Sequence, residues 1–113
     1  MLTVHHLNNS RSQRILWLLE ELGLEYQLKT YQRDPVTNLA PPELELVHPL
    51  GKSPVLTDDA ITVIESGAII DYILRHYGAG RLQPEVGSDG HEQYLQWLHY
   101  AEGMIMNYAL HLI

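Results

Sequence analysis

Three short stretches hold residue types whose spacing suits the capture and activation of a small ligand. The first is Ser10-Arg11-Ser12-Gln13-Arg14, between an apolar run and an amphipathic one. Ser10 there can simply cap a helix. Alternatively, its hydroxyl, beside a helix N-terminus, can donate to a bound thiolate while the helix dipole adds positive potential. Lowering a thiol pKa by about two units takes roughly 2.7 kcal/mol of preference for the thiolate. One good donor and a helix terminus together can supply that. Ser12 is a second candidate hydroxyl.

The second stretch is Gly51-Lys52-Ser53-Pro54-Val55, where a proline opens a strand. It can be a loop terminator and nothing more. If the Ser53-Pro54 bond is cis, the turn instead offers the Ser53 main chain to an extended peptide as an added strand. Lys52 can meet a carboxylate there, or remain a solvated surface lysine. The third stretch is Glu65-Ser66, where a strand gives way to a helix. Both residues can be caps. The free N–H groups of a helix start are also an anion site, which the Ser66 hydroxyl would complete while Glu65 faces an ammonium. Together they suit an amino-acid head group carrying both charges.

The elements that must position these stretches follow from periodicity. Leu2 to Leu7 reads as a strand, and Ile15, Leu18, Leu19 and Leu22 form one helical stripe that Gly23 stops. Tyr26 to Tyr31 alternates as a second strand, so residues 2 to 31 make a βαβ unit with parallel strands. The proline-rich stretch Gln32 to Pro49 supports at most one irregular helical turn, near Glu43 to Val47. Val55 to Thr57 and Ile61 to Ile64 form a tight hairpin around Asp58-Asp59-Ala60. Ile69, Ile70, Ile73 and Tyr77 then keep helical spacing until Gly78 and Gly80. The order is βαβ, loop, ββα, an α/β fold.

Residues 81 to 88 read as a linker. Asp89 and Glu92 resemble a capping box. Tyr94, Trp97, Leu98, Ala101, Ile105, Tyr108 and Leu112 continue as a long helix too apolar to stand alone.

Composition narrows the chemistry. The 113 residues carry a net charge of −7, the wrong sign for neutralising phosphates, so nucleic acid is not an expected partner. No apolar run reaches the ~18 residues of a membrane span and no signal core opens the chain, which makes the cytoplasm the default compartment. There are no cysteines, so any thiol chemistry must use a ligand's sulfur. Seven histidines invite a metal, yet none pairs with another at helical spacing in the manner of zinc-binding HExxH motifs. His5 and His6, adjacent on a strand, point to opposite faces. No metal is expected.

In this order and at these separations, the three stretches resemble the N-terminal domain of cytosolic glutathione transferases, over about residues 1 to 86. The bacterial and fungal serine-type members are the most similar: their first loop carries a serine, an arginine four places on and a Trp-Leu-Leu-Glu-Glu-Leu run, here Ser10, Arg14 and Trp17 to Leu22. The resemblance implies a thioredoxin-like domain at 1–80 with a mixed four-stranded sheet, a linker at 81–88, and at 89–113 the first helix of a truncated all-helical domain. It implies glutathione as co-substrate, with Ser10 donating to its sulfur and Ser53, ahead of a cis Pro54, pairing its backbone with the cysteinyl residue. Lys52 would approach the glycyl carboxylate, and Glu65 and Ser66 would hold the γ-glutamyl group. It also implies a homodimer and a small electrophilic substrate bound against the second domain, where Met104 and Tyr108 are candidate lining residues.

Two positions differ from the family pattern: Ser53 stands where valine or isoleucine is usual, and His48-Pro49 where Asn-Pro is common. A glutaredoxin-type oxidoreductase shares the fold but needs a cysteine of its own. The alternative is a non-enzymatic interaction module on the same fold.

Overall fold

The structure is a computed structural model and describes residues 1–8, 10–51 and 53–101. Contact density divides the chain into two units, 1–70 and 71–113, the boundary falling within a helix.

In the first unit, strand β1 (Leu2–Leu7) is followed by helix α1 (Ser12–Leu22) and strand β2 (Gln27–Tyr31). A 3-10 turn at Pro42–Leu46 lies where the sequence predicts irregular helix. Strands β3 (Val55–Asp58) and β4 (Ile61–Ile64) then lead into helix α2 (Ser66–Tyr77). The sheet order is β2-β1-β3-β4, with β1 parallel to β2 and antiparallel to β3. This is the mixed four-stranded sheet expected from the βαβ and ββα order.

Each element forms for a local reason. Helix α1 buries Ser12, Ile15, Leu19 and Leu22 and packs on β1; Leu18, the fourth residue of the predicted stripe, is only half-buried. It stops at Gly23, whose φ of 68° is a conformation glycine adopts without a side-chain clash. The β3–β4 hairpin turns through Asp59 and Ala60, Asp59 accepting the left-handed conformation at φ 52°. Val4, Ile15, Leu19, Leu56 and Ile69 are fully or almost fully buried. Leu7, Tyr31, Leu44 and Val55 form a second apolar cluster that anchors the 3-10 turn.

In the second unit, α2 ends at Tyr77, and helix α3 is described over Asp89–Tyr100. Its cap differs from the sequence expectation by one residue. Ser88, not Asp89, is the N-cap: its backbone is extended, with φ −84° and ψ 158°, and its hydroxyl accepts the His91 N–H. The reading of α3 as continuing to residue 113, with Met104 and Tyr108 on it, lies outside the described residues. One carboxylate organises this unit: Asp71 accepts from Arg75 Nε at 2.6 Å, Gln83 Nε2 at 2.7 Å and the Tyr94 hydroxyl at 3.2 Å. Burial, and then the Asp71 charge, push the Tyr94 phenol up to about 12. Among the described residues no helix is long and apolar enough to cross a membrane.

Candidate functional site

The three stretches singled out in the sequence meet in the first unit. A cleft of about 270 Å³ is lined by Arg11, Ser53, Pro54, Ile64, Glu65 and Ser66. Four of these are residues the sequence nominates. Ser10 is not among the lining residues but stands directly behind them, its Oγ 3.3 Å from Ser53 Oγ. Lys52 lies outside the described residues.

The β1-to-α1 turn places Ser10. The helix starts at Ser12 with Arg11 in the N-cap position, and no side chain closes that cap. Ser10 therefore does not act as the N-cap. Its hydroxyl donates to the Leu7 carbonyl at 2.7 Å and lies 2.7 Å from Ser12 Oγ. The Ser12 N–H, first in the helix, donates back to Ser10 Oγ at 3.3 Å. Ser12 is fully buried, and its hydroxyl also meets His6 Nδ1. Of the two candidate hydroxyls, Ser10 is thus the more accessible.

The turn into β3 places Ser53. The Ser53-Pro54 bond is cis, as the strand-addition reading requires. The Ser53 side chain does work that a valine could not. Pairing of β1 with β3 ends at His5 opposite Val55, and one step beyond it Ser53 Oγ accepts the Leu7 N–H at 3.2 Å and donates to the His5 carbonyl at 3.0 Å. The hydroxyl stands in for backbone and ties the turn to the end of the central strand.

The end of β4 places Glu65 and Ser66. Glu65 has φ 73°, a left-handed conformation rare for a residue with a β-carbon, and its carboxylate is exposed. Backbone of this kind costs of order 1–3 kcal/mol and concentrates at ligand clamps. Ser66 is buried and opens α2, while the Ile69 N–H closes onto the Glu65 carbonyl at 2.9 Å. The cleft accordingly offers a carboxylate, a buried hydroxyl at a helix start and a guanidinium.

Arg11 is the lining residue that the sequence conceals. Family-like spacing directs attention to Arg14, and only the proximity of Arg11 to Ser10 in the same turn hints at its place. The guanidinium supplies local positive potential in a chain that is acidic overall. His5, on the opposite face of β1 from His6, makes no part of the cleft: its ring bridges Tyr31 Oη at 2.9 Å and Thr57 Oγ1 at 3.1 Å. Burial, and then the Lys29 charge, hold its imidazole below the ordinary histidine range.

Sheet order and helix placement together define the class: a thioredoxin-like domain. The profile of the glutathione S-transferase N-terminal domain matches residues 1–75. The chain belongs to the glutathione S-transferase family.

Glutathione S-transferase 3 of Schizosaccharomyces pombe is 44% identical over 106 residues, covering 94% of this chain and 43% of that protein. A crystal structure of a glutathione S-transferase from Actinobacillus pleuropneumoniae superposes with a TM-score of 0.86 at 42% identity, covering 97% of this chain and 52% of the other. A sphingomonad glutathione S-transferase complexed with glutathione superposes with a TM-score of 0.68 at 26% identity, over 87% of this chain and 49% of the other. The chain spans about half the length of the relatives it matches.

Proposed function

We propose that this chain binds glutathione in the cleft at Ser53, Glu65 and Ser66, and that the whole protein is a transferase holding the sulfur as a thiolate for attack on an electrophile. The observation that carries this reading is the convergence of Ser10, the Ser53-Pro54 turn and the strained Glu65-Ser66 helix start. Glutathione is an anionic, extended tripeptide with an amino-acid head group. Those three places offer one partner for each of its parts.

In this reading Glu65 faces the γ-glutamyl ammonium, and the Ser66 hydroxyl with the α2 N-terminus meets the neighbouring carboxylate. The Ser53 main chain pairs with the cysteinyl residue. Lys52 approaches the glycyl carboxylate, and Arg11 adds positive potential. The Ser10 hydroxyl donates to the sulfur. Its stabilisation grows with the charge on sulfur, so it favours the thiolate over the thiol and lowers the thiol pKa. The thiolate then attacks the electrophilic carbon, its lone pair forming the new C–S bond as the leaving group departs with the bonding electrons.

The same reading divides the chain into a glutathione-binding domain at 1–80, a linker at 81–88 and the first helix of an all-helical domain from 89. The electrophile binds against that second domain, and the protein works as a homodimer in the cytoplasm. Titration calorimetry with glutathione tests the binding step, and conjugation to an activated aryl halide by the full chain tests the chemistry. Binding without turnover of any electrophile would favour a non-enzymatic interaction module. Absence of binding would end the proposal.

A further inference from the structure

The hydroxyls at the head of α1 form a chain whose direction can be derived by counting protons. Ser10 has one hydroxyl proton, and it goes to the Leu7 carbonyl, which can only accept. The 2.7 Å contact between Ser10 and Ser12 must then use the Ser12 proton. With that proton spent, the contact between Ser12 Oγ and His6 Nδ1 requires the proton to be on Nδ1. Ser53 cannot substitute as the donor to Ser10, because its own proton goes to the His5 carbonyl at 3.0 Å. The chain therefore runs from His6 through Ser12 to Ser10.

We propose that His6 is a positioning residue that aims the Ser10 hydroxyl at the ligand sulfur by fixing the direction of this chain. The inference rests on the glutathione reading above. When a thiolate arrives, only the last proton has to turn, from the Leu7 carbonyl to the sulfur. Ser10 Oγ keeps two incoming donors, the Ser12 hydroxyl and the Ser12 N–H at 3.3 Å. A hydroxyl that accepts is a stronger donor, so these bonds sharpen its preference for the charged sulfur. The opposite tautomer, with the proton on Nε2, reverses everything: Ser12 then donates to His6, Ser10 donates to Ser12, and the sulfur receives nothing. His6 touches no ligand and acts through a buried serine, from a half-buried place at the end of the central strand. Its neighbour His5 is held by other partners on the other face.

The test uses the full chain saturated with glutathione. Nitrogen-15 NMR of the His6 ring reports where its proton sits, and the expected result is a protonated Nδ1; a neutral ring protonated on Nε2 overturns the proposal, whatever the variants do. The second readout is the ultraviolet absorbance of the bound thiolate in His6→Leu and His6→Asn, at a pH near the bound thiol's pKa in the unmodified protein. His6→Leu is expected to lower the thiolate fraction at least fivefold, while His6→Asn, whose amide nitrogen can donate from nearly the same place, stays within twofold of the unmodified chain. Affinity for S-methylglutathione, which has no thiol, is expected to change less than twofold in both. An undiminished thiolate signal in a folded His6→Leu overturns the inference and leaves the glutathione reading standing. Failure of the unmodified chain to bind either compound sinks the glutathione reading itself.

Discussion

Two polar clusters, one in each unit of this chain, are built on opposite plans. Around Asp71, a guanidinium, an amide and a phenol converge on one carboxylate, so the cluster contains its own anion. At the head of α1, Ser12 Oγ joins His6 to Ser10, Ser10 donates to the Leu7 carbonyl and Ser53 to the His5 carbonyl, so backbone carbonyls and not a carboxylate are the final acceptors. A cluster with its charge supplied is finished when the chain folds. One whose hydroxyl donors end on backbone carbonyls, with no carboxylate among them, is suited to receiving an anion from a ligand. On the proposed reading the first kind serves stability and the second chemistry.

Substitutions can break this contrast in graded steps. The largest effect is expected from Ser10→Ala: turnover of an activated aryl halide falls at least tenfold, with glutathione affinity nearly unchanged. Unchanged turnover would transfer the activating role to Ser12 or to backbone donors. If Ser66 donates to the ligand carboxylate as proposed, Ser66→Ala should weaken glutathione binding roughly ten- to a hundredfold, since a hydrogen bond to a charged group contributes about 1.5–3 kcal/mol. Calorimetry measures it directly. In the other cluster, Asp71→Ala leaves the donors of Gln83 and Tyr94 without their acceptor and should lower unfolding stability by about 1–2 kcal/mol, read by urea titration, with glutathione affinity intact. A loss of affinity there would show that the two plans are not separate.

Titration sharpens the contrast further. Tyr94 holds its proton up to about 12 in the folded chain against an ordinary value of 10.0. Its contribution is full below that ordinary value and is lost as pH rises from there towards the folded one. Thermal melts across this alkaline range should decline less steeply in Tyr94→Phe. His5 behaves in the opposite sense. Burial depresses its folded value below the ordinary 6.5, so its contribution is present above that pH and is lost on acidification through the folded value. His5→Gln should flatten the acid side of the stability profile, the smallest effect of the series.

Much of the fold was legible because it rests on periodicity. The stripe Ile15, Leu19, Leu22 appears buried where a 3.6-residue repeat places it, and Gly23 and Gly78 follow the ends of their helices. The nominated cleft residues Ser53, Pro54, Glu65 and Ser66 were legible through their resemblance to a family, and the coordinates bring them together. What stayed hidden depends on three dimensions. Arg11 lines the cleft from the N-cap position of α1, and no spacing rule encodes that. The link from His6 to Ser12 joins residues six apart across a strand end and a helix start, a distance that neither helical nor strand periodicity predicts. The cap of α3 shifted to Ser88 because two adjacent residues both suit the role, and the choice depends on backbone conformation.

The side chain of residue 53 has one more implication. A hydroxyl there completes a rung of the sheet that the main chain leaves open, so the reach of the central strand is set by an atom open to substitution. Exchange for valine would leave the Leu7 amide in search of water and take one donor from the His5 carbonyl. The end of the central strand is thus held by a side chain and not by sheet pairing alone.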